Sequence, residues 1–264
     1  AVAGLFKRIA EESQRLDILV NNAFQLPKDP TGSLSDTEFL SRDFWEQPGA
    51  FYDSLMDVGL RSHYTASVYA YPLLKQTAMQ ESSEKPLIVH VSSYGGVTYS
   101  FNVAYGVAKA AVDRMAKDMH VELRRHEIRC ISLYPGIVRT ERMNDFLDSG
   151  EFERRMQLAT PERFVESPQL SGEAITALFS AGDGYLDKVS GKVVVTAEVA
   201  KKYGLKDRWT NYTPPSIRSL KYLIPALIFS KQSPEVRRRY EELVISLSPD
   251  ILLPMSVMAS PRPK

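Results

Sequence analysis

Short unbroken apolar runs alternate along the chain with longer stretches whose apolar positions recur at helical spacing. Residues 2–15 read as a helix, and LDILV at 16–20 as a buried strand closed by Asn21 and Asn22. A loop rich in Pro, Gly and Ser follows at 24–50, long enough to serve as a lid or an elaborated rim. Residues 51–79 are mostly helical, with Gly59 and Pro72 as the points that bend or divide them. PLIVHVSS at 86–93 is a second strand, and a helix runs from about Val103 to Arg125. IRCISLYPG at 128–136 is a third strand with its turn, and GKVVVTAEV at 191–199 is a fourth.

Strands separated by long helices imply parallel order with right-handed crossovers. The strands read as continuous apolar runs rather than alternating ones, as expected where helices cover both faces of a sheet. The pattern predicts an α/β three-layer sandwich with a Rossmann-like parallel sheet. In such sheets ligands bind beyond the C-terminal strand ends. Here those ends carry Asn21-Asn22-Ala23, Ser92-Ser93 and Pro135-Gly136, which together form one polar rim.

Composition narrows the picture. With 264 residues, 44% hydrophobic and 25% charged, the chain is of the soluble globular kind and can bury a sizeable core. Lys and Arg number 33 against 32 Asp and Glu, so no nucleic-acid partner is expected. The single cysteine, Cys130, lies in an apolar run and reads as a buried, inert thiol in a reducing, cytosol-facing setting. The N-terminal residues read as a helix leading into a strand rather than as a signal peptide. His63, His90, His120 and His126 lack metal-ligand spacing, so no metal is expected, and no G-x-S-x-G nucleophile elbow occurs.

Candidate chemistry begins at Tyr105 and Lys109, neighbours across one helical turn on a helix whose apolar stripe is Ala108, Val112, Met115, Met119 and Leu123. The pair is either an ordinary helix-surface pair or a proton-transfer pair. An ammonium near a phenol favours the phenolate, and such a tyrosine can exchange a proton with an alcohol or carbonyl oxygen. Ser92 and Ser93 end the preceding strand, and side directions alternate, so only one of them points into a cleft. Ser93, at the turn itself, is preferred, with Ser92 as the fallback.

The ordered set VHVSSYGG, YGVAK, LVNNAF and PGIVRT resembles the short-chain dehydrogenase/reductase family over roughly residues 1–200. The resemblance implies an NAD(P)-dependent oxidoreductase that interconverts a carbonyl and a secondary alcohol by hydride transfer, with NADPH slightly favoured over NADH. It implies Tyr105 as the acid/base, Lys109 as the group that lowers the tyrosine pKa and holds the nicotinamide ribose, and Ser93 as the residue that orients the substrate carbonyl. Asn21 and Ala23 would shape the cofactor cleft, and Pro135, Gly136, Ile137 and Thr140 would flank the nicotinamide. The sequence departs from the family at two places. Phe24 stands where the Asn-Asn-Ala-Gly motif has its glycine, and Gly59 falls where the family has an asparagine, with Asp57 as the alternative alignment.

The family's glycine-rich TGxxxGIG turn is not found in the sequence, and LVNNAF, which follows the family's fourth strand, stands at its start. The first strands and the cofactor-selecting residue are therefore expected to precede Ala1. The chain is then either an incomplete representation of a working reductase or a truncated, non-catalytic scaffold that binds a partner. The expected division is a partial catalytic domain at 1–206, with a substrate lid at about 137–170, and a C-terminal extension at 207–264. Met143, Phe146, Leu147 and Phe152 would line an apolar pocket or form the buried face of lid helices. Tyr94, Tyr99 and Phe101 suggest a hydrophobic substrate, steroid- or retinoid-like by family analogy.

The C-terminal extension mixes prolines with basic and apolar segments. It would dock on the body, cover the cleft or make peripheral contact with a membrane. Its YLIPALIF run at 222–229 is too short to span a bilayer, and a further helix is expected to start at a Ser233 cap. The final residues are expected to be loosely ordered. The chain is expected in the cytoplasm or on the cytosolic face of an endomembrane such as the endoplasmic reticulum. By family analogy it forms a homo-oligomer through the helices around 51–79 and 103–125.

Overall fold

The computed structural model describes residues 1–25, 27–33, 36–40, 42–80, 84–148, 150, 164–229, 232 and 234–258. In chain order the regular elements begin with α1 (Val2–Glu12), β1 (Ile18–Asn21), α2 (Asp36–Leu40), α3 (Gly49–Met56) and α4 (Ser62–Ala78). They continue with β2 (Leu87–Val91), α5 (Val103–Leu123), β3 (Arg129–Tyr134), β4 (Ile137–Val138), α6 (Glu141–Asp148), β5 (Val165–Glu166) and α7 (Pro168–Ser180). The last are α8 (Tyr185–Val189), β6 (Val193–Val195), α9 (Thr196–Tyr203), α10 (Leu220–Phe229), α11 (Pro234–Leu247) and α12 (Met255–Met258). The chain divides into two compact units, Ala1–Tyr134 with Leu178–Val194, and Pro135–Ala177 with Val195–Lys264.

The first unit carries the expected α/β sheet, in strand order β1-β2-β3-β6. β1 pairs in parallel with β2, Asn21 opposite His90, and β2 in parallel with β3, Val91 opposite Leu133. Leu87, Ile88, Val89 and His90 are all buried, so β2 has no solvent face, as the unbroken apolar run required. Phe6 of α1, Leu73 and Leu74 of α4, and Ala116 and Leu123 of α5 pack with Ile88 and Cys130 in one core. The buried stripe of α5 runs through Ala104, Ala108, Val112 and Ala116 rather than through Met115, because small side chains let the helix approach the sheet closely.

Three expectations change. Residues 51–79 form α3 and α4 joined by a π-helical turn, Asp57–Arg61, which places the expected irregularity at Gly59, whereas Pro72 sits inside α4 without ending it. The strand expected at 191–199 ends at Val195, and α9 begins at Thr196. Thr196, Ala197, Val199 and Ala200 are buried at helical spacing, and Gly204 at φ +67° closes the helix, so packing overrides the β-branched run. The loop at 24–50 contains α2 and the start of α3. Phe39 and Leu40 of α2 are buried against Phe51, Leu55 and Ala104, which anchors this segment beside the start of α5.

In the second unit β4 and β5 form a two-stranded parallel sheet, Ile137 opposite Val165 and Val138 opposite Glu166. Phe164 stacks on Tyr222 of α10 with ring centroids 5.4 Å apart, in a cluster with Ala226, Ile245 of α11 and Ile137. The extension from 207 onward thus shares a core with β4 and with the residue before β5. Met143 and Leu147 are half-buried on α6, which also carries Phe146. Phe152, the proposed Ser233 cap and the final residues 259–264 lie outside the described residues.

Candidate active site

Asn102 is the element that aims the site. Its side-chain oxygen accepts the Tyr105 backbone N–H at 2.8 Å and so caps α5, while its amide nitrogen donates to the Leu40 carbonyl at 2.8 Å. Phe101, just before it, takes a left-handed backbone at φ +62° and sets its ring edge-on to Tyr105 at 5.1 Å. The first turn of α5 therefore starts at a fixed point, and Tyr105 and Lys109 project from its face one turn apart.

Ser93, in extended conformation after β2, brings its Oγ to 2.6 Å from the Tyr105 Oη. The Gly95 N–H donates to the same Ser93 oxygen at 3.2 Å. A Cβ on Gly95 would overlap the Tyr105 ring, with the ring's Cδ1 at 2.8 Å, so the close approach requires glycine. Ser92 is buried and donates to the Lys109 carbonyl at 3.2 Å, away from the phenol. The alternation of side directions thus gives the two serines separate tasks.

Lys109 is 6% exposed and donates to the Val91 carbonyl at 3.3 Å. Burial pulls its pKa down to about 8, and the nearby Asp113 carboxylate opposes that fall. Burial moves the Tyr105 phenol the other way, above its ordinary value, with the Ser93 hydrogen bond opposing. The helical pair alone suggested a lowered phenol. Packing against Phe24, Phe101 and Gly95 reverses that direction, and the ammonium stands 5.9 Å from the ring centre.

Two polar networks lie behind these residues. Asp113, one turn beyond Lys109, accepts hydrogen bonds from Ser132 Oγ at 2.6 Å and from Tyr134 Oη. Asn21 donates to Ser67 Oγ at 3.1 Å and lies 3.3 Å from His90 Nδ1, so its side chain ties β1 to α4 and β2. His63 Nε2 donates to the Ala23 carbonyl at 3.1 Å, which fixes the strand end after Asn21. Burial lowers His63 to about 4 and His90 to about 3, so both are neutral at physiological pH. Among the described residues no cluster of His, Cys, Asp or Glu could hold a metal ion.

The second unit holds Pro135, Gly136, Ile137 and Thr140. Glu166 Oε2 accepts the Gly136 N–H at 2.9 Å, and a Cβ on Gly136 would stand 2.5 Å from Glu166 Oε1. Ile137 lies in β4 and packs in the Phe164–Tyr222 cluster. Thr140 Oγ1 accepts the Met143 N–H at 3.3 Å at the start of α6.

Sequence reasoning passed over Asn102, Asp113 and Glu166. An asparagine just before a helix is a readable cap, and Asp113 is readable as a member of the Tyr105–Lys109 face. Glu166 has no such signal, because its partner is distant in sequence.

Comparison with known proteins places this geometry in a family. The model described as enoyl-(acyl carrier protein) reductase matches residues 1–196. Dehydrogenase/reductase SDR family member 1 of Mus musculus is 40% identical over 210 residues, covering 78% of this chain and 63% of that protein. The Homo sapiens protein of the same name is 39% identical over the same shares. The chain thus spans 63% of the length of these relatives. The solved structure of ElxO with NADP bound superposes with a TM-score of 0.58 at 22% identity, covering 74% of this chain and 71% of that one. A 3-oxoacyl-[acyl-carrier protein] reductase with bound NAD from Brucella melitensis gives a TM-score of 0.56 at 22% identity, covering 74% and 66%. With its parallel sheet and its ordered Ser93, Tyr105 and Lys109, the chain belongs to the short-chain dehydrogenase/reductase family.

Proposed function

We propose that this chain carries the catalytic part of an NAD(P)-dependent oxidoreductase that interconverts a hydrophobic carbonyl compound and its secondary alcohol. The observation that carries the reading is the 2.6 Å contact between Ser93 Oγ and Tyr105 Oη, with Lys109 one turn further along the same helix. Two hydroxyls converge where a substrate oxygen can accept from both. A phenol whose pKa is raised by burial keeps its proton at neutral pH, as an acid that protonates a carbonyl oxygen must. The Lys109 ammonium stabilises the phenolate left behind.

The donor set suits the nicotinamide end of a dinucleotide. In the first unit Lys109 and Tyr105 would hold ribose hydroxyls and Asn21 and Ala23 would shape the cofactor cleft; in the second unit the family resemblance assigns Pro135, Gly136, Ile137 and Thr140 to the nicotinamide. When bound, the cofactor supplies the hydride. No residue of this chain is assigned to the pyrophosphate, since no glycine-rich turn follows a strand in the sequence. NADP and NAD, each named for one of the solved neighbours, support a nicotinamide dinucleotide in general. Phe24 and Phe101 set their rings edge-on to Tyr105 and give the phenol region an aromatic surface, which supports a hydrophobic substrate.

Tyr64 and Val68 on α4 and Val107 and Val121 on α5 are exposed, which supports pairing of chains through these helices. Leu227, Ile228, Leu243 and Leu247 are exposed on α10 and α11 and support peripheral contact with an endomembrane on its cytosolic face. Among the described residues no helix is long and apolar enough to cross a membrane.

The test is Tyr105→Phe in the protein, with NADPH oxidation followed against a panel of hydrophobic ketones. Turnover is expected to fall by a factor of 10² or more, on the order of a general-acid contribution, with unchanged circular dichroism. Retained turnover in the variant would defeat the assignment.

A further inference from the structure

Phe24 and Gly59, the two positions where the sequence leaves the family pattern, meet in space. A Cβ on Gly59 would stand 3.3 Å from Phe24 Cδ2 and 3.7 Å from Cε2, so the ring lies directly over that glycine. The π-helical turn Asp57–Arg61 presents Gly59 there. Two further neighbours of the ring are catalytic candidates. The Lys109 Nζ stands 4.6 Å from the Phe24 centroid, and the Tyr105 ring meets it edge-on at 5.8 Å and 82°.

We propose that Phe24 is a positioning residue of the reductase site: its ring face holds the Lys109 ammonium by cation–π attraction, its edge steadies Tyr105, and Gly59 is the seat that lets the ring lie there. The inference rests on the proposed function. Lys109 is almost fully buried, and among the described residues it donates one hydrogen bond, to the Val91 carbonyl. Its nearest titratable neighbours on α5 are Tyr105 and Asp113. The Lys109 charge helps to hold His63 of α4 neutral near pH 7. Asp113 is engaged by Ser132 and Tyr134 of β3, and Asp57, in the π-helical turn, pairs with Arg61. No ion pair to Lys109 forms among the described residues, so beside the Val91 carbonyl and the field of the more distant Asp113 carboxylate, the Phe24 face is a direct partner of the desolvated cation. A leucine at 24 would fill similar space without the negative ring face.

The experiment reads the lysine directly, without turnover. Protein labelled with 13C at lysine Cε is titrated by NMR without cofactor, and the Lys109 signal is assigned by Lys109→Gln. Phe24→Leu is expected to move the Lys109 midpoint down by about half to one and a half pH units, since removing a partner of the charged form favours the neutral one. Phe24→Tyr, which keeps the ring face, is expected to restore the wild-type midpoint. Gly59→Ala, whose Cβ at 3.3 Å makes the ring give by a few tenths of an ångström, should lower the midpoint in the same direction as Phe24→Leu and by less.

An unchanged midpoint in Phe24→Leu, or a Tyr variant that behaves like Leu, overturns the cation–π role. An unchanged midpoint in Gly59→Ala overturns the seat. In active protein, the alkaline fall of kcat should shift with the Lys109 midpoint while KM holds. Failure of the reductase reading would show separately, as turnover retained in Tyr105→Phe with the lysine titration unaffected.

Discussion

The Glu166 carboxyl offers the sharpest quantitative test. It is 1% exposed and accepts the Gly136 N–H at 2.9 Å. Burial pushes its pKa up to about 7 from the ordinary 4.5; the Gly136 hydrogen bond opposes the rise, and the Asp207 carboxylate adds to it. Between those two values the folded chain keeps a proton that the unfolded chain has released. The stabilising contribution is therefore complete below about pH 4.5 and is lost as pH climbs through 7. From pH 5 to pH 8 the loss is about 2 to 3 kcal/mol, taking 1.36 kcal/mol per unit.

Glu166→Gln keeps an acceptor for Gly136 and removes the titration. The chain has 2 tryptophans, and Trp209 lies in the same unit as Glu166, with its backbone N–H donating to Asp207 Oδ1 at 3.0 Å. In a background carrying Trp45→Phe, an exposed position in the other unit, urea unfolding followed by fluorescence reports on that unit. The original protein should lose stability against the Gln variant by the stated amount as pH rises from 5 to 8. Parallel pH dependence in the two proteins would show that the carboxyl titrates normally and that the Gly136 contact is not the buried bond described.

Two further substitutions probe the aim of the site. Asn102→Ala removes the cap of α5 and the link to Leu40, and thermal denaturation should show a loss of about 1–2 kcal/mol, with turnover falling beyond what stability explains. Gly95→Ala drives a methyl into the Tyr105 ring. It should cut turnover about tenfold or more and cost about 1–3 kcal/mol of stability, read by steady-state kinetics beside a melting curve.

What could be read from the sequence follows from how far each signal extends along the chain. β2 and β3 were readable because both faces are buried, which leaves an unbroken apolar run. The positions of Ser93, Tyr105 and Lys109 were readable because the strand end, the turn and the helix are consecutive. β4 and β5 were not, since strands of 2 residues carry no period and their partners are far apart in sequence. The start of α9 reads as strand because VVVTAEV is rich in β-branched residues, and only the burial of Thr196, Ala197, Val199 and Ala200 reveals the helical face. The direction of the Tyr105 shift is likewise not legible from helical spacing. Spacing shows which charge is near, whereas desolvation depends on Phe24 and Gly95, which converge on the ring only after folding.

The same distinction explains the two departures from the family pattern. Read one at a time, Phe24 puts bulk where the motif has glycine, and Gly59 removes a polar side chain from the segment before α4. Neither residue indicates in sequence that it concerns the other. In the fold the ring of one covers the bare backbone of the other, and the covered site borders the Lys109 ammonium and the Tyr105 ring. A polar side chain at 59 and a ring at 24 would compete for one volume, since even a Cβ would stand 3.3 Å from the ring. On the alignment that sets Gly59 rather than Asp57 at the family's asparagine, the proposed role of Phe24 makes the two changes one exchange, an aromatic face in place of an amide. It replaces a group that can hydrogen-bond by one that attracts the charged lysine through its π face.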